Sequence, residues 1–194
     1  MTDLPDQCYN DFIIGTGRGL MEKGSKISRY CGLDLSLVGT GLVIINNQFE
    51  IMNQSLFSTT PKQITEDRLI SITADIEKEI SQWCGNEPTI IYIEGLAFGA
   101  RGQAMLELAA LHYFVRIFLY TSHYDYKVIP PTQVKKFVTG KGNAKKELML
   151  LKTYKKWGET FEDNNVCDAY CLARYAIDQE NPKPYKCWRT YERR

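Results

Sequence analysis

The chain is poor in the residues that build soft-metal sites. It has two histidines, His112 and His123, in 194 residues. Its six cysteines, at 8, 31, 84, 167, 171 and 187, include no CxxC pair. That spacing argues against a zinc module and fits reduced thiols in a cytoplasmic setting (the host cytoplasm, if the protein is viral). Cys167 and Cys171 stand four apart on an expected helix and read as small buried side chains. No apolar run approaches the roughly 20 residues needed to span a bilayer, so no membrane is expected. The opening "MTDLPDQCYNDF" lacks the basic and apolar regions of a secretory leader, and its Asp3, Asp6 and Asp11 do not suit a transit peptide. "GTGRG" at 15–19 is not followed by Lys-Ser/Thr, so it is no phosphate loop.

The charge is unevenly spread. The formal net charge is +1, yet the segment from Lys127 to Lys156 holds nine lysines against one acid, Glu147. The tail "KPYKCWRTYERR" is basic as well. A block of this kind is either a solvated helix face or a footprint for a polyanion.

Apolar patterning divides the chain into an N-terminal extension (1–29), a body (30–182) and a basic tail (183–194). Strands are predicted at 30–35, 40–46 and 49–57. A helix over 62–84 follows, with Leu69, Ile72, Ile76, Ile80 and Trp83 on one face, Pro61, Glu66 and Asp67 at its start and Gly85 at its end. "PTIIYIEG" at 88–95 is a buried strand. The segment 102–121 is a helix apolar almost all round, which suits a central position or an interface between copies. "YKVIPP" at 126–131 is a short strand stopped by prolines, "PTQVKKFVTG" a short helix, and Asn143 a candidate cap for a helix over 144–157. "FEDNNVCDAYCLARYAID" forms the last helix. This order implies an α/β fold with a mixed five-stranded sheet. Its first three strands form an antiparallel meander, and crossover units follow.

Three carboxylates stand in unusual places. Asp34 interrupts the apolar strand "YCGLDL", Glu94 ends "IIYIE", and Asp168 sits among small apolar residues in "VCDAYCLA". A buried carboxylate costs free energy unless something neutralises it. Each has a purely structural explanation: a turn contact for Asp34, a pair with Arg101 for Glu94, an exposed helix position for Asp168. If the first and fourth strands are parallel neighbours, however, their ends bring Asp34 and Glu94 together, and the last helix can deliver Asp168. Three such acids repel one another, and hard divalent ions such as Mg²⁺ or Mn²⁺ relieve that repulsion. Two ions about 4 Å apart suit phosphodiester cleavage.

"GLDLSLVGTGLVI", "IYIEGLAFGARGQAMLELAAL", "VIPPTQVKKFVTGKGNAKKELM" and "DNNVCDAYCLARYA" resemble, in this order, the motif blocks of the RuvC family of Holliday junction resolvases, with the greatest likeness to bacteriophage forms. The resemblance spans about residues 30 to 180. It implies a ribonuclease-H-like fold, a homodimer, two Mg²⁺ ions per site with Mn²⁺ as a substitute, and paired nicking of four-way or branched DNA. The cuts would leave 5′-phosphate and 3′-hydroxyl ends. Asp34, Glu94 and Asp168 match the family's metal ligands. Where the bacterial pattern has a fourth acid this chain has Asn165, so Asn165, Asp163 or Glu162 stands as the fourth ligand. Related phage-type sequences share that asparagine. Lys135 and Lys146 match lysines near the scissile phosphate. Lys136, Lys141, Lys145 and Arg101 read as phosphate contacts, and Phe98 as either a base-stacking aromatic or a loop anchor. The alternatives are another ribonuclease-H-like nuclease acting on hybrids or flaps, and a junction-binding module that has lost catalysis, a reading motivated by Asn165.

Overall fold

The computed structural model describes residues 16–17, 26–96 and 102–181. The strands are β1 (Thr16–Gly17), β2 (Arg29–Asp34), β3 (Thr40–Asn46), β4 (Ile51–Phe57), β5 (Thr89–Glu94) and β6 (Asp125–Ile129). The helices are α1 (Thr65–Trp83), α2 (Gln103–Thr121), α3 (Pro131–Thr139), α4 (Lys146–Trp157) and α5 (Asn164–Glu180). The sheet order is β1-β6-β5-β2-β3-β4. β2, β3 and β4 form the expected antiparallel meander, and β5 and β6 add in parallel on the other side of β2. The two-residue β1 pairs with β6, a rung from the N-terminal segment that extends the five-stranded sheet at its edge.

Alternation along the strands sorts the core into two layers. Tyr30, Val43, Ile45, Ile90 and Tyr92 pack on the α5 side. Cys31, Leu33, Leu42, Ile44, Ile91 and Ile93 pack under α1 and α2. Asp34 and Glu94 share the parity of Tyr30 and Tyr92, so both belong to the α5 face. Leu33 pairs with Ile93, which brings the next residues, Asp34 and Glu94, to the same edge of adjacent strands.

Two glycines set how close α5 can come. A Cβ at Gly32 would lie 1.9 Å from the Ala169 carbonyl oxygen, and one at Gly41 would lie 2.2 Å from that of Asn165. The helix backbone therefore rests directly on β2 and β3, with no side-chain layer at those points.

Some expectations are corrected. The helix before β5 starts at Thr65 rather than 62, because Pro61 lies in a turn ahead of it. Asn143 does not cap α4: Lys145 occupies that position, after a turn in which the Ala144 amide donates to the Lys141 carbonyl at 3.3 Å. Asp163 caps α5 instead, its carboxylate accepting from the Asn165 amide at 2.7 Å. By length and composition α2 is long and apolar enough to cross a membrane, contrary to the expectation that no such run exists. Here Leu111, His112, Val115 and Leu119 of α2 are buried in the fold, and Glu107 lies 4.0 Å from Arg68 of α1.

Gly32→Ala is expected to cost more than about 3 kcal/mol, since backbone rather than a flexible side chain blocks the added methyl. Urea denaturation would show the loss as a lower midpoint at unchanged slope.

Candidate active site

Asp34 at the end of β2, Glu94 at the end of β5 and Asp168 one turn into α5 lie within electrostatic reach of one another. All three are only partly covered, so solvent and a substrate can reach them. Burial, then the Glu94 and Asp168 carboxylates, hold Asp34 well above the usual carboxylate range, while Lys146 pulls the other way. Burial and then Asp168 push Glu94 up to about 7, against Lys135 and Lys146. Burial raises Asp168 too, opposed by Lys146 and Lys135. Lys135 reaches the cluster from α3, and Lys146 from the first turn of α4.

The loop after Asp34 is stiffly held. The Ser36 amide donates to Thr40 Oγ1 at 3.0 Å, and Thr40 Oγ1 donates to the Ser36 carbonyl at 2.6 Å. The Arg68 guanidinium, buried in α1, donates to the Leu37 carbonyl at 3.0 Å and to Thr59 Oγ1 at 2.9 Å. Thr59 Oγ1 donates to the same Leu37 carbonyl. Sequence reasoning missed this brace. Its one trace in the sequence is an arginine four residues before Ile72, in line with the apolar stripe of α1.

The remaining expected residues divide. Asp163 lies within electrostatic reach of Asp34 and Asp168 while capping α5. A side chain at Gly39 would meet the Asn165 amide nitrogen at 3.0 Å, which places that amide against the β2–β3 loop. Glu162 is exposed. It lines a cavity with Gln54, Leu56, Phe161 and Asp163 on the β4 side of α5. Lys136, Lys141 and Lys145 are exposed around α3 and the start of α4. Phe98 and Arg101 lie outside the described residues.

The sequence of the whole domain now decides its kinship. Residues 18–174 match the family model for crossover junction endodeoxyribonuclease RuvC. The chain belongs to the RuvC family. It is 23% identical to RuvC of Brachyspira hyodysenteriae over 145 residues, covering 73% of this chain and 89% of that protein. With RuvC of Prochlorococcus marinus it shares 28% over 133 residues, covering 61% and 77%. Thermus thermophilus RuvC in complex with a Holliday junction superposes with a TM-score of 0.67 at 16% identity, covering 80% of this chain and 96% of that one. The fold is thus ribonuclease-H-like, with RuvC proteins among its structural relatives.

RuvC kinship implies a divalent metal, and the donors suit one. Crowded carboxylates whose proton affinity is raised by burial and by each other are the oxygen ligands that a hard cation stabilises. The arrangement is nonetheless open: among the described residues no three acid, cysteine or histidine side chains are already gathered around one point.

The raised carboxylates bind protons more tightly folded than unfolded. Their contribution to metal-free stability is therefore full at low pH and falls as pH rises from about 4 through the folded value near 7 of Glu94. In thermal melts, Asp34→Asn is expected to raise the metal-free melting temperature at pH 8 and to weaken this pH dependence. It should also reduce the extra stability gained on adding Mg²⁺ or Mn²⁺. A metal-free Asp34→Asn protein less stable than wild type would contradict the crowding.

Proposed function

We propose that this RuvC-family protein resolves four-way DNA junctions by metal-dependent hydrolysis at Asp34, Glu94 and Asp168, leaving 5′-phosphate and 3′-hydroxyl ends. The observation that carries the reading is the convergence of these three acids, from β2, β5 and α5, beside two lysines. In this reading the three carboxylates hold two Mg²⁺ ions, for which Mn²⁺ can stand in. Such ions, when bound, make a water more acidic and offset negative charge on the departing oxygen. The protein's own side chains do the rest. Lys146 and Lys135 place positive charge where the phosphate gains negative charge. Lys136, Lys141 and Lys145 hold the backbone in register without reading bases. Arg68, Ser36 and Thr40 fix the loop that follows Asp34, so that carboxylate does not drift when the site is empty of substrate.

The second element is a homodimer. Cutting opposite strands takes two sites, and the described residues of one chain hold one acid cluster. On α2, Leu106, Phe114 and Ile117 are 66%, 46% and 51% exposed, with Tyr113 beside them at 48%. A second copy, packed isologously, would bury this stripe. Arg116 lies 5.0 Å from the Tyr113 ring centroid at its edge.

Cleavage of a synthetic four-way junction, compared with linear duplex and RNA–DNA hybrid, tests the reading. Wild type should cut the junction with Mg²⁺ or Mn²⁺ and fall silent with EDTA. Asp34→Asn should bind it and cut slower by about two to three orders of magnitude or more. Junction binding without cutting by wild type would show a binding module, and preference for the hybrid another nuclease.

Replacing Phe114 and Ile117 together by Asp should turn a dimer into a monomer in sedimentation and reduce coupled cutting to single nicks. A double mutant that still sediments as a dimer would move the interface elsewhere.

A further inference from the structure

At the other end of α5 from the acids is a cavity of about 330 Å³ that the proposed reaction does not use, lined by Phe49, Phe137, Lys156, Trp157, Arg174 and Asp178 among others. Its central feature is the Arg174 guanidinium, 4.2 Å from the Phe49 ring centroid and 4.7 Å from that of Trp157. One nitrogen, Nη1, donates to the Tyr170 hydroxyl at 3.1 Å. Among the described residues Arg174 makes no ion pair, unlike Arg68 with Glu107 and Lys127 with Glu180. Asp178 lines the same cavity and Glu159 lies within electrostatic reach, but neither is paired with it. Lys156 adds a second cation: its Nζ donates to the Phe137 carbonyl at 2.7 Å and stands 5.7 Å from the Trp157 ring centroid.

Phe49 reaches this place at a cost. Its φ is +71°, a conformation uncommon for a bulky side chain. The β3–β4 turn is pinned by Asn46, whose Oδ1 accepts from the amides of Gln48 and Glu50 at 2.9 and 3.0 Å. The turn thus holds an aromatic ring over a guanidinium that has donors to spare. Arginine in such a setting is pre-organised for a phosphate or carboxylate.

Charge continuity selects the phosphate. α4 begins at Lys146, beside the acids, and ends at Lys155, Lys156 and Trp157, beside Arg174. Its 12 residues span about 18 Å at 1.5 Å each. At 3.4 Å per nucleotide that is about five nucleotides of one strand, while Asp168 and Arg174, six residues apart on α5, are about 9 Å or three nucleotides apart along its axis. We propose that Arg174, steadied by Phe49 and Trp157 and joined by Lys156, is a distal clamp for a backbone phosphate of a junction arm, about three to five nucleotides from the cut. This rests on the junction-resolving reading and names a positioning residue for it. The clamp would fix the arm's angle relative to Lys146, so that the strand meets the acids in one register.

The test is binding in an Asp34→Asn background, with a four-way junction in which single phosphates are neutralised as methylphosphonates, one position at a time on both sides of the cut. One position about three to five nucleotides from the cut should weaken binding about tenfold, the low end for a charge-assisted hydrogen bond. Arg174→Gln, which keeps a planar group between the rings, should show the same loss on the unmodified junction. It should be indifferent to neutralisation at that position, and the slope of log affinity against log salt should fall by about one. Arg174→Lys, with its charge kept and its fork lost, should keep the salt slope. Thermal melts of each variant separate a folding defect from a binding one. An Arg174→Gln protein whose phosphate profile and salt slope match the parent's overturns the clamp alone, provided wild type cuts the junction. Wild type that neither binds nor cuts it overturns the clamp together with the reading beneath it.

Discussion

A helix backbone laid directly on a sheet, with only hydrogen atoms between, is the constraint from which the rest follows. At Gly32 and Gly41 any side chain would collide with the main chain of α5. The contact fixes both the height and the axial position of the helix, because the two glycines meet it a turn apart, at Asn165 and at Ala169. Asp168 lies between those two points. Its place beside Asp34 is therefore set by main-chain packing, which does not relax the way a side-chain contact does. The β2–β5 register supplies the other coordinate, since Leu33 beside Ile93 leaves Asp34 and Glu94 as neighbours at the strand ends. Three acids from segments far apart in the chain thus converge through two backbone interactions, neither of which involves the acids.

The convergence is unfavourable on its own terms. Burial raises all three carboxylates, repulsion within the trio adds to it at Asp34 and Glu94, and Lys135 and Lys146 offset only part of this. The fold sustains the crowding because the remainder of α5 is anchored by apolar burial, with Ala169, Tyr170, Cys171, Leu172 and Ala173 fully covered. Its C-terminal end is anchored by polar ties: Glu180 accepts from the Tyr92 hydroxyl at 2.7 Å and from Lys127 at 2.5 Å, and Asn181 donates to the Tyr30 hydroxyl at 2.6 Å. Stability built along one stretch of the helix offsets electrostatic strain at its start, a common division between scaffold and site.

The parts of this arrangement that could be read in the sequence were those that broke a local pattern. A carboxylate inside an apolar strand is an anomaly, and Asp34 and Glu94 were visible for that reason. The meander and the crossover helices followed from alternation and from three- and four-residue apolar steps. The packing role of Gly32 and Gly41 was not legible, because it depends on a helix more than 120 positions later in the chain. Arg68 was hidden because a buried arginine looks like any surface arginine until its partners, Leu37 and Thr59, are known. The cap of α4 was misplaced because Asn143 has the right chemistry, while the extra turn ahead of Lys146 is set by burial of Ala144. The fourth ligand stayed open since Asn165 and Asp163 are near neighbours in sequence, and both stand at the start of α5, Asp163 as its cap and Asn165 against the β2–β3 loop.

The lysine block could not be apportioned by sequence for the same physical reason. Nine lysines in one stretch look equivalent, yet the fold gives them different work. Lys135, half-buried on α3, and Lys146, exposed in the first turn of α4, stand within electrostatic reach of the acids, where they lower the cost of clustered negative charge. Lys127 is spent on Glu180, closing the end of α5. Lys156 bonds a carbonyl and lies over aromatic rings, at the opposite end of α4 from Lys146. The positive surface is therefore graded: partly neutralised by the carboxylate cluster at one end, free of ion pairs among the described residues and backed by aromatics at the other. A polyanion laid along α4 would be held most firmly away from the acids and would meet the least net positive charge at them. Affinity and chemistry are thereby separated in space, and tight binding of the arms need not stabilise the uncut phosphate in the ground state.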